Sequence, residues 1–192
     1  PPAVHDIHLL LQASNGCTAT YDVEHTVYPE PQLGYTVEGS CVNEEITFTA
    51  QSNHVLVQTS WIIDGIGYTE PTISTTFSTT TSEQITLNAT DTKGCTAIAT
   101  GLFIPLDQPM AGVISTGQCF GNITSFAVEG APGNAGNIVN YQWNFGDNTG
   151  SPVPSPLHYY TAPGSYNGTV LITAANGCSN ELSFEVSIFE NP

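Results

Sequence analysis

Five histidines (His5, His8, His25, His54 and His158), five cysteines (Cys17, Cys41, Cys95, Cys119 and Cys178) and 17 carboxylates carry the reactive chemistry of a 192-residue chain. Their spacing argues against catalysis. No histidine pair has the interval of a metalloprotease or zinc-finger site, the cysteines form no Cys-x-x-Cys pair, and no Gly-x-Ser-x-Gly elbow occurs to expose a nucleophile. His5 and His8 stand three apart, which on a strand puts them on opposite faces. The chain reads as non-enzymatic, with no catalytic residue to name. Calcium is the one cofactor it admits, because that ion takes carboxylate and carbonyl oxygens. Asp64, Asp91, Asp107 and Asp147 fall in expected loops, and Asp147 is the first calcium candidate. No loop alternates carboxylates as a dedicated site does, so the competing role for Asp147 is to fix its own turn by hydrogen bonds to backbone.

Lys plus Arg is 1 against 17 Asp plus Glu, for a formal charge of -16 and a pI near 4.1. Such a surface cannot neutralise phosphates, which excludes nucleic acid as a partner. No apolar run approaches the roughly 20 residues of a membrane helix, so membrane insertion is not expected. The acidic excess suits a solvated surface, and a saline medium would screen its self-repulsion.

The elements that must position these residues read as strands. Glu45–Thr49, Gln84–Ala89, Tyr141–Phe145 and Ser183–Ile188 alternate apolar and polar residues with a period of two, the mark of a half-buried strand. Turn clusters such as Pro132-Gly133-Asn134 and Ala162-Pro163-Gly164 separate them, and no 3.6-residue stripe with caps stands out. The expected fold class is all-β. Ile46, Phe48, Trp61, Phe126, Trp143, Phe145, Val170 and Ile172 are the expected core.

The pattern repeats. Asn15-Gly16-Cys17, Lys93-Gly94-Cys95 and Asn176-Gly177-Cys178 share a Gly-Cys turn, and a proline follows each cysteine by 14 residues at Pro31, Pro109 and Pro192. Ten residues after the first two prolines stand Cys41 and Cys119, which gives a period of about 80. Residues 1–31 match the C-terminal hairpin of a truncated unit, 32–108 a divergent unit and 109–192 a complete one. A hairpin alone cannot bury a core.

Tyr141-Gln142-Trp143-Asn144-Phe145-Gly146-Asp147, followed by His158-Tyr159-Tyr160-Thr161-Ala162-Pro163-Gly164-Ser165-Tyr166, resembles the polycystic kidney disease (PKD) domain, with Asn144 where the family usually has Asp. The middle unit keeps Trp61 and Asp64-Gly65 but lacks the His and Pro-Gly landmarks. The resemblance implies tandem immunoglobulin-like β-sandwiches, similar to those of giant cell-surface adhesins of gliding bacteria. It makes Trp61, Trp143, Phe145, Asp147, His158, Tyr160, Pro163, Gly164 and Tyr166 structural residues, with Tyr166 in the place of a tyrosine corner.

Cysteines in a strand-rich, Lys-poor chain point to an oxidising, extracellular setting. Two pairings are open. Bridges inside each unit would join Cys41 to Cys95 and Cys119 to Cys178. Eight residues of strand at about 3.3 Å each would hold such a pair roughly 26 Å apart, against a Cα limit near 7 Å, unless a loop folds over. A head-to-tail array would instead bring Cys41 to Cys178, leaving Cys17, Cys95 and Cys119 to find partners outside these residues, whereas the bridges inside each unit would leave only Cys17 unpaired. The functional expectation is a cell-surface segment of an adhesin stalk or filament, with rigid sandwiches as spacer and scaffold. Its partners would be neighbouring domains of the same long chain, other copies in a filament, and surface polysaccharide. One rival is an accessory carbohydrate-binding region of a secreted hydrolase, for which Tyr68, Tyr159 and Tyr160 are the aromatic candidates. Another is a polymerising filament subunit using residues 1–31 for strand addition.

Overall fold

A computed structural model describes residues 2–130 and 133–192; Pro1 of the N-terminal segment and Pro132 of the expected turn lie outside the described residues. Its contacts divide the chain into two compact units. The first comprises Pro1–Glu38, Thr47–Ser74 and Glu83–Phe103, the second Gly39–Ile46, Thr75–Ser82 and Ile104–Pro192.

Three hairpins share one construction. They pair β1 (Ala3–Gln12) with β2 (Thr18–Val27), β8 (Glu83–Asp91) with β9 (Thr96–Phe103), and β15 (Gly164–Ala174) with β16 (Ser179–Ile188). In each tip a tight turn closes on a glycine N–H, from Gly16 to Ala13, Gly94 to Asp91 and Gly177 to Ala174, at 2.9 to 3.0 Å. The glycines have φ of 85°, 81° and 92°, the left-handed conformation that a type I turn followed by a one-residue bulge requires. The next residue is the cysteine, whose carbonyl accepts the N–H of Ala13, Asp91 or Ala174. Its own N–H is held by a side-chain oxygen at Asn15, Asp91 or Asn176. The repeated Gly-Cys motif is therefore a repeated hairpin tip.

The first unit contains the β1–β2 hairpin and two antiparallel sheets. One sheet orders β3 (Leu33–Glu38), β4 (Ile46–Ser52) and β7 (Thr72–Thr75); the other runs β6-β5-β8-β9, with β5 at Leu56–Ile63 and β6 at Ile66–Tyr68. Phe48 meets Trp61 across the interior at 6.3 Å between ring centroids and Phe103 at 5.5 Å. Asp64 and Gly65, both with positive φ, make the two-residue turn between β5 and β6.

Within the second unit, β10 (Gly112–Thr116), β11 (Thr124–Glu129) and β14 (Leu157–His158) form one sheet. The other orders β13 (Gly150–Ser151), β12 (Ile138–Asn144), β15 and β16. Phe126, Trp143, Phe145, Tyr160, Val170, Ile172, Val186 and Ile188 make its core. No α-helix occurs among the described residues. The fold class is the expected one, all-β with immunoglobulin-like sandwiches. Each of the eight expected core residues is buried, because period-two alternation sends one side of each strand between sheets.

The β1–β2 hairpin is the contrast. By the repeat register Ile7, Leu9 and Leu11 correspond to Ile85, Leu87 and Ala89, which are at most 4% exposed. In the hairpin the three are 49 to 56% exposed.

Candidate functional site

The residues of the longest motif converge on one corner of the second unit. Asp147 follows Gly146, whose φ is 84° and whose Cβ, were there one, would lie 2.5 Å from the Asn167 carbonyl; glycine is obligatory there. One carboxylate oxygen of Asp147 accepts the Thr149 N–H at 3.1 Å and the Thr149 hydroxyl, and the other pairs with His158 Nε2 at 2.8 Å. The imidazole stacks on Phe145 at 4.2 Å between ring centroids, 7° from parallel. Tyr160 is buried and donates its hydroxyl to the Phe145 carbonyl at 3.0 Å. Burial pushes the Asp147 carboxyl up, yet hydrogen bonds from Thr149 and His158 outweigh it and hold the group below the usual range. Burial, with the Asp147 charge beside it, raises the Tyr160 phenol well above its ordinary value.

Both oxygens of Asp147 thus hold a turn. The corner fixes backbone. Among the described residues no three His, Cys, Asp or Glu side chains gather as a metal-binding group.

Residues 107–188 match the family model described as the PKD domain. This stretch belongs to the PKD family. A 93-residue segment is 24% identical to collagenase ColA of Bacillus cereus, an alignment covering 48% of this chain and only 9% of the collagenase. Among solved structures, the PKD1 domain of Vibrio anguillarum Epp is 24% identical, with a TM-score of 0.40, over 44% of this chain and 96% of that one. A 1.5-MDa bacterial ice-binding adhesin is similar at 13% identity and a TM-score of 0.38, over 98% of this chain and 74% of that one.

Other motif residues of the PKD domain hold backbone too. Asn144 accepts the Gly146 N–H at 3.0 Å through its side-chain oxygen, so this substitution for the family's Asp keeps an acceptor where the turn needs one. Pro163 and Gly164 lead into β15, and Tyr166 returns its hydroxyl to the Ala162 carbonyl at 2.8 Å, the geometry of a tyrosine corner. Trp143 donates its indole N–H to the Val153 carbonyl at 3.0 Å. In the first unit Trp61 does the same to Glu70 at 2.9 Å. Sequence alone marked both tryptophans as core but not these acceptors, ten and nine residues downstream.

A pair that sequence reasoning missed lies at the tip of the β8–β9 hairpin. His54 Nδ1 meets Asp91 Oδ2 at 2.8 Å, while Asp91 Oδ1 accepts the N–H groups of Lys93 and Cys95 at 2.8 and 2.9 Å. Asp91 is 2% exposed. Burial pushes its carboxyl up, but these hydrogen bonds leave it below the usual range. The signal that could have found it is the tip itself, since Asp91 fills the acceptor role that Asn15 and Asn176 fill elsewhere.

A disulfide joins Cys41 to Cys178 with 5.7 Å between Cα atoms, while Cys17, Cys95 and Cys119 are free. The alternative pairing, Cys41 to Cys95 with Cys119 to Cys178, is excluded. The reason is local: the loop carrying Cys41 belongs by its contacts to the second unit, where Val42 donates to the Leu106 carbonyl and Leu106 to the Ser40 carbonyl. Cys178 Sγ lies 3.8 Å from that same Leu106 carbonyl.

Proposed function

We propose that this chain is a non-enzymatic segment of an extracellular adhesin stalk, in which repeats of residues 32–108 and 109–192, preceded by the hairpin of residues 1–31, act as spacers and scaffold. The Cys41–Cys178 bond carries the reading, because it ties a loop of the middle repeat to the hairpin tip of the last one across 137 residues. A covalent tie between repeats serves a device that must keep its geometry outside the cell, where disulfides persist. Domains of this family occur as well in an enzyme such as collagenase ColA, so the chemistry of a parent protein is a separate matter from the role of these domains. No helix here is long and apolar enough to cross a membrane.

The exposed aromatics speak for a spacer over a carbohydrate-binding region. Tyr21, Tyr28, Tyr159 and Phe189 are exposed, but no strand among the described residues carries two of them, and Tyr160 is core. A flat polysaccharide chain is gripped by a row of rings. Two tests separate the readings. Copies of the chain fused in series should lengthen in proportion to copy number in solution scattering. The single chain should pass unretained over insoluble polysaccharide; saturable retention there, or collapse of the fused copies, would move the assignment to the binding module.

A further inference from the structure

Cys95 occupies the place of a cysteine that is already bonded. Its Sγ lies 4.0 Å from the Tyr28 carbonyl, as Cys178 Sγ lies 3.8 Å from Leu106, and Tyr28 corresponds to Leu106 in the repeat register. At Leu106 the Cys41 loop runs alongside as a parallel bridge that delivers Cys41 to Cys178. Beside Tyr28 the first unit instead has an open cleft of about 670 Å³, lined by Tyr28, Glu30, His54, Val55, Asp91 and Lys93 among others. Asp91 of this cleft also holds the Cys95 N–H. Lys93, the sole Lys or Arg of the chain, lines this cleft and lies 5.2 Å from the Tyr28 ring centroid. The same molecule displays the complementary half. Cys119 makes with Phe189 the parallel bridge that Cys41 makes with Leu106, through Phe120 to Phe189 and Phe189 to Gln118 hydrogen bonds of 2.8 Å each, and its thiol is exposed and free.

We infer that the cleft beside Cys95 is a docking seat for a loop of the Cys41 and Cys119 type, contributed by another copy of this repeat and locked by a disulfide to Cys95. Two thiols then become one disulfide. The two electrons pass to a small-molecule disulfide such as oxidised glutathione, which leaves as two thiols carrying the two cysteine protons. The inference goes beyond the spacer reading and does not depend on it, since it concerns only which loop this cleft accepts.

Cys17 supplies the internal control, because it sits on the same kind of tip, exposed and free. The probe is a synthetic peptide of residues 39–44 (Gly-Ser-Cys-Val-Asn-Glu), its cysteine activated as a thiopyridine disulfide; the reference is glutathione activated in the same way. Attack by Cys95 or Cys17 forms the protein–peptide disulfide and releases thiopyridine. Mass spectrometry of unreduced digests gives the ratio of Cys95 to Cys17 adducts for each reagent. The peptide should favour Cys95 at least tenfold more than glutathione does, and Val55→Trp, which fills the cleft from an exposed position, should bring the peptide ratio down to the glutathione ratio. Equal ratios for the two reagents, or a peptide preference untouched by Val55→Trp, would overturn the seat.

Discussion

Trp143 shows how one side chain serves the packing and the backbone together. It is 4% exposed, lies 5.8 Å from the Phe126 ring, and spends its only polar hydrogen on Val153. Trp143→Ala should lower stability by about 3–5 kcal/mol in denaturant unfolding, the usual range for a large core aromatic. Its burial was legible in the sequence because Tyr141, Trp143 and Phe145 alternate; its acceptor was not, because a loop carbonyl has no residue-type signature. Asp147 and Asp91 set the acid response. A carboxyl whose folded pKa is depressed contributes stability that is fully present above its unfolded value near 3.9 and is lost as pH falls through the lower folded value. Acidification below about pH 4 should therefore destabilise the protein, and Asp147→Asn should flatten the decline relative to the parent. Melting temperatures from pH 2 to 6 give the comparison, and parallel curves would remove Asp147 from the account.

The hairpin is the element that the chain reuses, and its chemistry sits at the tip. Gly94 has a φ of 81°, and no atom lies within 4 Å of the point where an alanine methyl would stand, so Gly94→Ala isolates backbone strain from steric clash. It should cost about 1–2 kcal/mol, the penalty of a left-handed L-residue. Gly34 is equally open and carries no positive φ, so Gly34→Ala should be neutral or slightly stabilising. Equal costs at the two sites would contradict the tip geometry. The tip was readable from three Gly-Cys copies, and the long strands from their alternation. Strands as short as Gly150–Ser151 and Leu157–His158 were not, since two residues cannot display a period. The His54–Asp91 pair was hidden for a different reason: its members stand 37 residues apart and meet only when β5 pairs with β8.

For the chain as an entity, charge outweighs any single ion pair. Each of the three salt bridges among the described residues uses a histidine, so at neutral pH the formal charge of -16 has little internal relief. Screening over about 8–10 Å should weaken that repulsion. The melting temperature at pH 7 should rise steadily with sodium chloride; a flat response to sodium chloride with a large rise in calcium would mean ordered metal sites instead. The choice between two cysteine pairings could not be closed from sequence, because it turned on where a loop at residues 39–46 docks, and loop position is set by contacts that no local pattern encodes.

That bridge also bears on what happens under tension. A chain pulled from its two ends can pay out only residues outside a closed covalent loop, and the loop from Cys41 to Cys178 spans 137 of 192 residues. At about 3.5 Å per extended residue it withholds roughly 480 Å of contour from the pulling direction. The N-terminal hairpin, β3 and β16 lie outside the loop and can be drawn out, while β4 to β15 lie within it and are sheltered. Single-molecule pulling should show that increment appear when a reductant is added and vanish when it is omitted. A tether built this way yields a fixed length under load and then stops, so that a surge of flow is met by stiffness before the strands between the two cysteines are pulled apart.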